Sequence, residues 1–327
     1  MRFNSDQIQK IGKEISSKVD GKTLFDEFSR GRYSTDASVY QIKPLGVVLP
    51  KDTNDVLSLM EYSQKNSVPL LARGGGSSQC GQTVGESVVL DYSKHQNKIL
   101  ELNVEEKYVW VQPGVVLDHL NAYLKPHGLW FPVDVSTSSR ATIGGMSANN
   151  SCGSRSLYYG NMVHNVLAIE AILDDGSIFN FDQINKNYLA TKNNQDRLYK
   201  IIDKFIDVRQ QVGGEIDANW PTTQRRVGGY NIDLIDPDGF NSSNLLVGSE
   251  GTLYLFNKIK LKLSEIPKNK ILGVCYFDNF HQAMELSKEI VKLKPTCVEL
   301  MDQNLLNLAK ENPDVCWRYK KIHQRKS

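Results

Sequence analysis

The most informative stretch of this sequence is Arg73-Gly74-Gly75-Gly76-Ser77-Ser78, which directly follows the short apolar run VPLLA at 68–72. Three consecutive glycines remove the β-carbons, so several backbone N–H groups can converge on one anion. Ser77 and Ser78 add hydroxyl donors. A strand that ends in such a loop predicts a phosphate or pyrophosphate site. The alternative is a tight turn whose glycines only provide positive φ.

Two common nucleotide-binding motifs do not fit this loop. Residues 76–83, GSSQCGQT, have nearly the spacing of a Walker motif, but Gln82 stands where that motif requires lysine. Without that cation, the phosphates of a nucleoside triphosphate lose their main point charge. The GxGxxG pattern is also absent from the glycine-rich loops, so a nicotinamide Rossmann site has no support.

Two further regions are rich in small residues. The larger contains PVDVS (132–136), ATIGGMSANN (141–150) and CGS (152–154) and ends at Tyr159-Gly160; the smaller is GSEG at 248–251. Small residues allow a close approach of the backbone, while the serines and asparagines provide hydrogen-bonding groups. A large planar polar ligand with a diphosphate arm requires this combination. One such segment alone could be a set of turns, but the ordered set favours a ligand site.

Hydrophobic patterning predicts a mixture of short strands and amphipathic helices. The strands are predicted at 68–72, 87–91, 108–112, 166–173 and 177–181, with an Asp175-Gly176 hairpin between the last two. Leu253, Leu255, Ile259, Leu261 and Leu263 are predicted to share one face of a longer strand. The helices are predicted at the N-terminus and at 53–64, 115–125, 198–212 and 280–293. This mixture is typical of an α+β domain, with a boundary near Pro267 before the strand predicted in ILGVCYF.

Composition excludes several classes of protein. The 39 basic and 37 acidic residues give a net charge of +2, which demands neither nucleic acid nor an anionic membrane as a partner. No apolar run approaches the roughly 20 residues of a membrane span, and no signal peptide is recognisable. The five cysteines and six histidines lack the spacing of a disulfide framework, metal site or iron–sulfur cluster. We therefore expect a cytoplasmic protein with no metal site.

These motifs together resemble a known family. The ordered set RGGGSSQCGQ, VQPGV, FPVDVSTSSRATIGGMSANNSCGSRSLYYG and LLVGSEGTL is similar to the FAD-linked oxidases, which share the PCMH-type fold of vanillyl-alcohol oxidase. The branch that it resembles contains glycolate oxidase and D-lactate dehydrogenase subunits. The opening stretch GRYSTDASVYQIKPLGVVLPK is similar to large members that fuse a flavin domain to an iron–sulfur domain. The resemblance covers roughly residues 30–263.

The resemblance implies a set of cofactor-binding residues. Those expected to hold the FAD pyrophosphate are Arg73, Gly74, Gly75, Gly76, Ser77, Ser78, Gly81 and Gln82. Those expected to line the diphosphate and the isoalloxazine are Pro132, Asp134, Ser136, Thr142, Gly144, Gly145, Ala148, Asn149, Gly153 and Ser154. Those expected on the adenosine side are Val163, Val166, Glu250, Gly251, Thr252 and Ile259. FAD is expected to be non-covalent, because Ser77 and Ser78 stand where several relatives carry a tethering histidine.

The resemblance also implies the domain order and the reaction. We expect a helical arm at 1–39, a two-subdomain PCMH-type FAD-binding domain at 40–266, and the start of a truncated substrate cap domain at 267–327. The implied reaction is the oxidation of a small 2-hydroxy acid (D-lactate, glycolate or D-2-hydroxyglutarate) by hydride transfer to flavin N5. An iron–sulfur subunit or domain would accept the electrons, and this partner could hold the protein at a membrane.

Some questions stay open at the level of sequence. No catalytic residue can be named, although Arg140, Arg155, Arg225, Arg226 and Tyr230 are polar candidates. An oxidase of the same fold could instead act on an alcohol, an aldose or an amino-sugar nucleotide. The chain could also be a flavin-binding fragment or subunit with little activity alone.

Overall fold

The computed structural model describes residues 3–185, 196–223 and 225–316. The helices are α1 Ser5–Ser16, α2 Glu27–Arg32, α3 Thr53–Asn66, α4 Leu117–Leu124, α5 Ile143–Asn149, α6 Ser156–Tyr159, α7 Met162–Asn165, α8 Arg197–Gln211, α9 Gly213–Asn219, α10 Phe280–Lys292 and α11 Gln303–Glu311. The strands are β1 Lys22–Leu24, β2 Gly46–Leu49, β3 Leu70–Arg73, β4 Val88–Asp91, β5 Ile99–Asn103, β6 Tyr108–Val111, β7 Leu129–Trp130, β8 Val166–Ile172, β9 Ile178–Phe181, β10 Gln183–Asn185, β11 Gly239–Asn241, β12 Leu255–Lys262 and β13 Ser264–Glu265.

The first sheet has the strand order β1-β2-β4-β3. Strands β2, β4 and β3 are parallel, and β1 is antiparallel to β2. Helix α3 connects β2 to β3, and it begins where the Asp52 side chain accepts hydrogen bonds from the backbone N–H groups of Asn54 and Asp55. The first glycine loop therefore begins at the carboxyl end of β3, next to the carboxyl end of β4.

The second sheet has the order β5-β6-β12-β8-β9 and is antiparallel throughout. Its β8–β9 hairpin turns at Asp175-Gly176, where the Asp175 carboxylate accepts hydrogen bonds from the backbone and hydroxyl of Ser177. The predicted hairpin is thus confirmed. Two shorter antiparallel pairs, β10–β11 and β7–β13, form separate two-stranded sheets.

Each sheet has its own hydrophobic core. The N-terminal core includes Ile11 and Ile15 of α1, Leu59 of α3, and Val88 and Leu90 of the first sheet. The central core is larger, and its members include Val111, Ile143, Ile169, Phe181, Ile202, Leu246, Ile259 and Leu261. Helices pack with a mixed parallel and antiparallel sheet in the N-terminal core and with an antiparallel sheet in the central core, so the predicted α+β class is confirmed.

The structure corrects two details of the sequence analysis. Strand β12 contains a bulge between Phe256 and Lys258. A bulge shifts which side chains share a face. As a result, Leu255 packs against the N-terminal core, whereas Ile259, Leu261 and Leu263 lie in the central core.

The second correction concerns the predicted strand ILGVCYF at 271–277, which forms no strand here. Ile271 is 98% exposed and Leu272 is 81% exposed, and the segment has no ladder partner among the described residues. A strand requires such a partner, which apolar character alone does not provide. The helix predicted at 280–293 is present as α10, and only its Ala283 is buried.

Candidate functional site

The first glycine loop lies directly against the start of the second glycine-rich region. A β-carbon on Gly75 would stand 2.3 Å from the Arg140 carbonyl oxygen, and one on Gly74 would stand 2.1 Å from Thr142 Oγ1. Thr142 is the residue that caps α5, where its hydroxyl accepts a hydrogen bond from the Gly145 backbone. Glycine is therefore required at both positions, because the backbone of Arg140 and the capping side chain of Thr142 leave no room for a β-carbon.

The donor set of this loop suits an anionic diphosphate. Residues 73–82 contain no carboxylate, and the glycine backbone is accompanied by neutral donors on Ser77, Ser78 and Gln82. Gly75 is exposed, and Ser77, Ser78 and Gln82 are half-buried. The Ser78 hydroxyl and the Gln82 carboxamide are hydrogen-bonded to each other across the loop. The residues present thus fit the pyrophosphate of a dinucleotide.

Arg73 makes contacts that the sequence did not suggest. Its guanidinium donates to the carbonyl oxygens of Tyr33, Thr35 and Thr83 at 2.8–3.3 Å. Burial lowers the pKa of Arg73, and nearby Asp91 and Asp36 act in the opposite direction. The guanidinium is committed to protein carbonyls, so its direct contact with a pyrophosphate stays a prediction.

Asp134 holds the second glycine-rich region together. Its carboxylate accepts hydrogen bonds from the Ser154 hydroxyl at 3.0 Å and the Arg155 backbone at 3.1 Å. A β-carbon on Gly153 would lie 2.2 Å from the Asp134 carbonyl oxygen. The Arg155 guanidinium stacks 4.6 Å from the centroid of Trp130 and its Nε lies 3.6 Å from Asp134. Asp134 and Ser154, predicted separately as site residues, are therefore in contact.

The third glycine motif joins the other two at Glu250. One carboxylate oxygen of Glu250 accepts hydrogen bonds from Gln82 Nε2 at 2.9 Å and from Asn149 Nδ2 at 3.0 Å. The Glu250 backbone N–H donates to the Ala148 carbonyl at 2.9 Å. The residue also has a left-handed backbone at φ 49°. Three motifs that are far apart in the sequence thus meet at one exposed carboxylate.

Two buried asparagines behind this junction were not expected to act together. Asn150 is fully buried, and its Nδ2 donates to Asn231 Oδ1 at 3.4 Å while its Oδ1 accepts from the Val163 backbone at 3.0 Å. Asn231 is 4% exposed and donates to the Val247 carbonyl at 2.7 Å. Buried amides need partners of this kind. The pair connects the second glycine-rich region to the segment that precedes GSEG.

The polar candidates near residue 225 are also tied to the glycine regions. Arg225 donates to the Gly153 carbonyl at 3.0 Å, and the Tyr230 hydroxyl lies 2.6 Å from Thr252 Oγ1. Arg226 pairs with Asp233 and lies 5.2 Å from the centroid of Trp220. Arg225 and Tyr230 therefore border the same regions, whereas the charge of Arg226 is neutralised by Asp233.

The other predicted site residues fall into two groups. Those with exposed or half-exposed surfaces are Gly76, Gly81, Ser136, Gly145, Ala148, Gly251 and Thr252. Those whose side chains or β-carbon positions are buried are Pro132, Thr142, Gly144, Val163, Val166 and Ile259. Val163, Val166 and Ile259 belong to the central core behind the loops. Their contact with a cofactor stays a prediction.

Within residues 3–185, 196–223 and 225–316, no group of three or more His, Cys, Asp or Glu could hold a metal ion. In the same ranges, no helix has the length and apolar character to cross a bilayer.

Comparison with known proteins agrees with this geometry. Residues 44–182 match the model of the FAD binding domain family. The chain is 35% identical over 307 residues to D-2-hydroxyglutarate dehydrogenase of Escherichia coli, covering 91% of this chain and 30% of that protein. The corresponding enzyme of Haemophilus influenzae is 34% identical over 297 residues, with 87% and 28% covered. Glycolate oxidase subunit GlcD of Bacillus subtilis is 30% identical, with 91% and 55% covered.

This chain therefore spans less than a third of the length of the two dehydrogenases and about half that of the glycolate oxidase subunit. Among solved structures, alkyldihydroxyacetonephosphate synthase superposes with a TM-score of 0.62 at 18% identity, over 88% of this chain and 47% of that chain. That likeness shows the fold alone. The chain therefore contains an FAD binding domain of the PCMH-type fold that the FAD-linked oxidases share, and FAD is its cofactor.

Proposed function

We propose that this chain is the flavin-binding part of an FAD-dependent oxidoreductase that oxidises a small 2-hydroxy acid. The candidate substrates are D-2-hydroxyglutarate, D-lactate and glycolate. The main support is that a single alignment with D-2-hydroxyglutarate dehydrogenases covers about nine tenths of the chain, including all three glycine motifs. The contacts of Glu250 with Gln82 and Asn149 support one shared cofactor site rather than three independent turns.

Bound FAD would supply the two-electron acceptor that takes the C2 hydrogen of such an acid as a hydride. The chain's own residues hold and orient the cofactor. We assign the pyrophosphate to Arg73–Ser78 with Gly81 and Gln82, and the rest of the cofactor to the second and third glycine regions. Within them, Asp134 fixes the Gly153–Arg155 turn. No base for the substrate hydroxyl is assigned.

We further propose that FAD is held without a covalent link. The first loop carries Ser77 and Ser78 and contains no histidine between Arg73 and Gln82. Cys152 is half-buried in the second region, where it serves as a small packing residue.

We also propose the domain order of a helical arm at 1–39, a flavin domain at 40–266 and the start of a truncated cap domain at 267–327.

A second candidate function follows from the segment after Pro267. Ile271, Leu272 and Leu293 are highly exposed there, so the described part of this segment lacks the packed core of an independent cap. This observation favours a flavin-binding module that works with an iron–sulfur subunit or domain and has little activity alone.

Anaerobic single-turnover reduction of the flavin distinguishes these candidates. The FAD-loaded 327-residue chain is mixed with D-2-hydroxyglutarate, D-lactate or glycolate, and in parallel with simple alcohols and aldoses. The L-enantiomers of the two chiral acids are controls. Saturable bleaching at 450 nm by D-2-hydroxyglutarate, D-lactate or glycolate supports the complete proposal. Bound flavin that no hydroxy acid reduces supports the second candidate, and reduction only by alcohols or aldoses contradicts the 2-hydroxy-acid proposal.

A further inference from the structure

We propose that residues 33–40, YSTDASVY, are a positioning element of the FAD site that fixes both ends of the first glycine loop. The segment precedes the matched FAD binding domain, which begins at residue 44. The inference rests on the proposed assignment of residues 73–82 to the FAD pyrophosphate.

The first link is made by Arg73, at the junction of β3 and the loop. Its Nη1 donates to the Tyr33 carbonyl at 3.3 Å and to the Thr83 carbonyl at 3.1 Å, and its Nη2 donates to the Thr35 carbonyl at 2.8 Å. The guanidinium also lies 5.3 Å from the centroid of the Tyr33 ring. A single planar fork of donors thus joins the 33–40 segment to the beginning and the end of the loop.

The second link is made by Asp36. One oxygen of its carboxylate accepts a hydrogen bond from the Thr83 hydroxyl at 2.9 Å, and the other accepts from the Ser38 backbone at 2.8 Å. The next residue, Ala37, donates its backbone N–H to the Gly76 carbonyl at 3.2 Å. The segment therefore contacts the loop near its apex as well as at its far end.

An aromatic contact completes this arrangement. The Tyr40 ring lies so close to the loop that a β-carbon on Gly81 would stand 2.5 Å from its Cδ2. Gly81 has a φ of 83°, a left-handed conformation that glycine adopts readily. Tyr40 packs against the loop exactly where the backbone reverses, although its ring is still half exposed.

The segment is itself anchored to the first sheet, so it can act as a fixed reference. The Tyr33 hydroxyl donates to the buried Asp91 carboxylate at 2.6 Å, at the end of β4. Ser34 is buried, and its carbonyl accepts a hydrogen bond from the Ile42 backbone at 2.9 Å. The Tyr33 end of the 33–40 segment is therefore held to the first sheet, and the Ser34–Ile42 hydrogen bond closes the segment on itself.

This geometry gives Arg73 and Asp36 an indirect role in cofactor binding. The loop's path is set by protein contacts before an anion arrives, and a preorganised loop loses less conformational freedom on binding. Besides its proposed place at the pyrophosphate, Arg73 acts on the cofactor through the position of the loop, and Asp36 acts through Thr83 and Ala37. Both are positioning residues.

Equilibrium dialysis of FAD against the 327-residue apoprotein tests this inference. Asp36→Ala removes two hydrogen bonds to the segment and loop, so we expect an FAD dissociation constant raised about tenfold. Asp36→Asn keeps an acceptor and gains a donor that the Thr83 hydroxyl can accept, so binding should stay within about twofold of wild type. Asp207→Ala, an exposed aspartate on α8, is the matched control and should leave binding unchanged.

Two further variants keep the test decisive. Thr83→Val removes only the hydroxyl and should weaken FAD binding even if Asp36→Ala proves insoluble. Arg73→Lys keeps the charge but cannot reach three carbonyls, so it should bind FAD as poorly as Arg73→Ala. Wild-type binding by both Asp36→Ala and Thr83→Val would overturn the inference. So would an Asp36→Asn defect equal to that of Asp36→Ala, because the hydrogen bonds to Thr83 and Ser38 would then not account for the effect of Asp36.

Gly75→Asp separates the inference from the assignment on which it rests. If that variant retains FAD, the loop is not the pyrophosphate site and both ideas fail. If it loses FAD while Asp36→Ala and Thr83→Val bind normally, only the role of the 33–40 segment fails.

Discussion

The Gln82 side-chain amide donates a 2.9 Å hydrogen bond to the Glu250 carboxylate, although 168 positions separate the two residues. Asn149 donates to the same oxygen at 3.0 Å. Each partner comes from a different glycine-rich region, so this carboxylate keeps the regions at a fixed distance from one another. The relation turns three local motifs into one surface.

Glu250→Ala should therefore weaken FAD binding without unfolding the protein. Two hydrogen bonds from neutral donors to a charged acceptor are lost, and we expect a dissociation constant about tenfold higher. Glu250→Gln retains one carbonyl acceptor, so its dissociation constant for FAD should lie between those of the wild type and Glu250→Ala. Fluorescence titration with FAD measures the affinity, and far-UV circular dichroism checks the fold. Equal affinity in all three proteins would show that the junction does not organise the site.

The lowered pKa of His164 leads us to expect that the folded protein loses stability on mild acidification. Its Nδ1 accepts a hydrogen bond from the Asn161 backbone at 3.0 Å in the capping box of α7. Burial lowers the pKa of His164 and Arg226 lowers it further, while Asp233 opposes them. His164 is nevertheless exposed to solvent, so screening by water keeps the effect small. With a folded pKa below the unfolded value of about 6.5, the unfolded state binds more protons.

The contribution of His164 to the free energy of unfolding should accordingly be constant above neutral pH and fall as the pH drops below about 6.5. His164→Asn keeps an acceptor near the Nδ1 position but cannot titrate. Thermal unfolding of both proteins between pH 7.5 and 5 measures the difference, and the wild type should lose more stability than the variant. A parallel decline in both would assign the pH dependence to other groups.

Local patterns predicted the elements but not the contacts between them. The apolar spacing in Thr53–Asn66 and the glycines after β3 are local signals, and the structure contains both features where they were predicted. Arg73, by contrast, donates to the carbonyls of Thr35 and Tyr33, which precede it by 38 and 40 positions. Asn150 and Asn231, which are hydrogen-bonded, are 81 positions apart. Single residues carry no signature of such partners. The exposed 271–277 stretch was predicted as a strand for the same reason, since pairing cannot be seen in the stretch alone.

Acid precipitation should release the flavin. Because Ser77 and Ser78 occupy the part of the loop where a tethering histidine would stand, unfolding leaves no bond to the cofactor. The protein is precipitated with trichloroacetic acid, and the absorbance of the supernatant and of the redissolved pellet is recorded at 450 nm. All of the yellow colour is expected in the supernatant. Colour that stays with the pellet after washing would contradict non-covalent binding.

Gly75→Asp should abolish FAD retention while the chain stays soluble. A β-carbon at this position would stand 2.3 Å from the Arg140 carbonyl oxygen, and the added carboxylate would repel a pyrophosphate. Overpacking and like-charge repulsion together predict an FAD affinity at least about a hundredfold lower.

Gly75→Ala introduces only the steric conflict, so its loss of affinity should be smaller and independent of salt. High salt should partly restore binding to Gly75→Asp, because it screens the repulsion. Gly214→Asp is the matched control, because a β-carbon there meets no atom within 4 Å. Equilibrium dialysis at two salt concentrations measures all four proteins, and unchanged binding by Gly75→Asp would exclude this loop as the phosphate site.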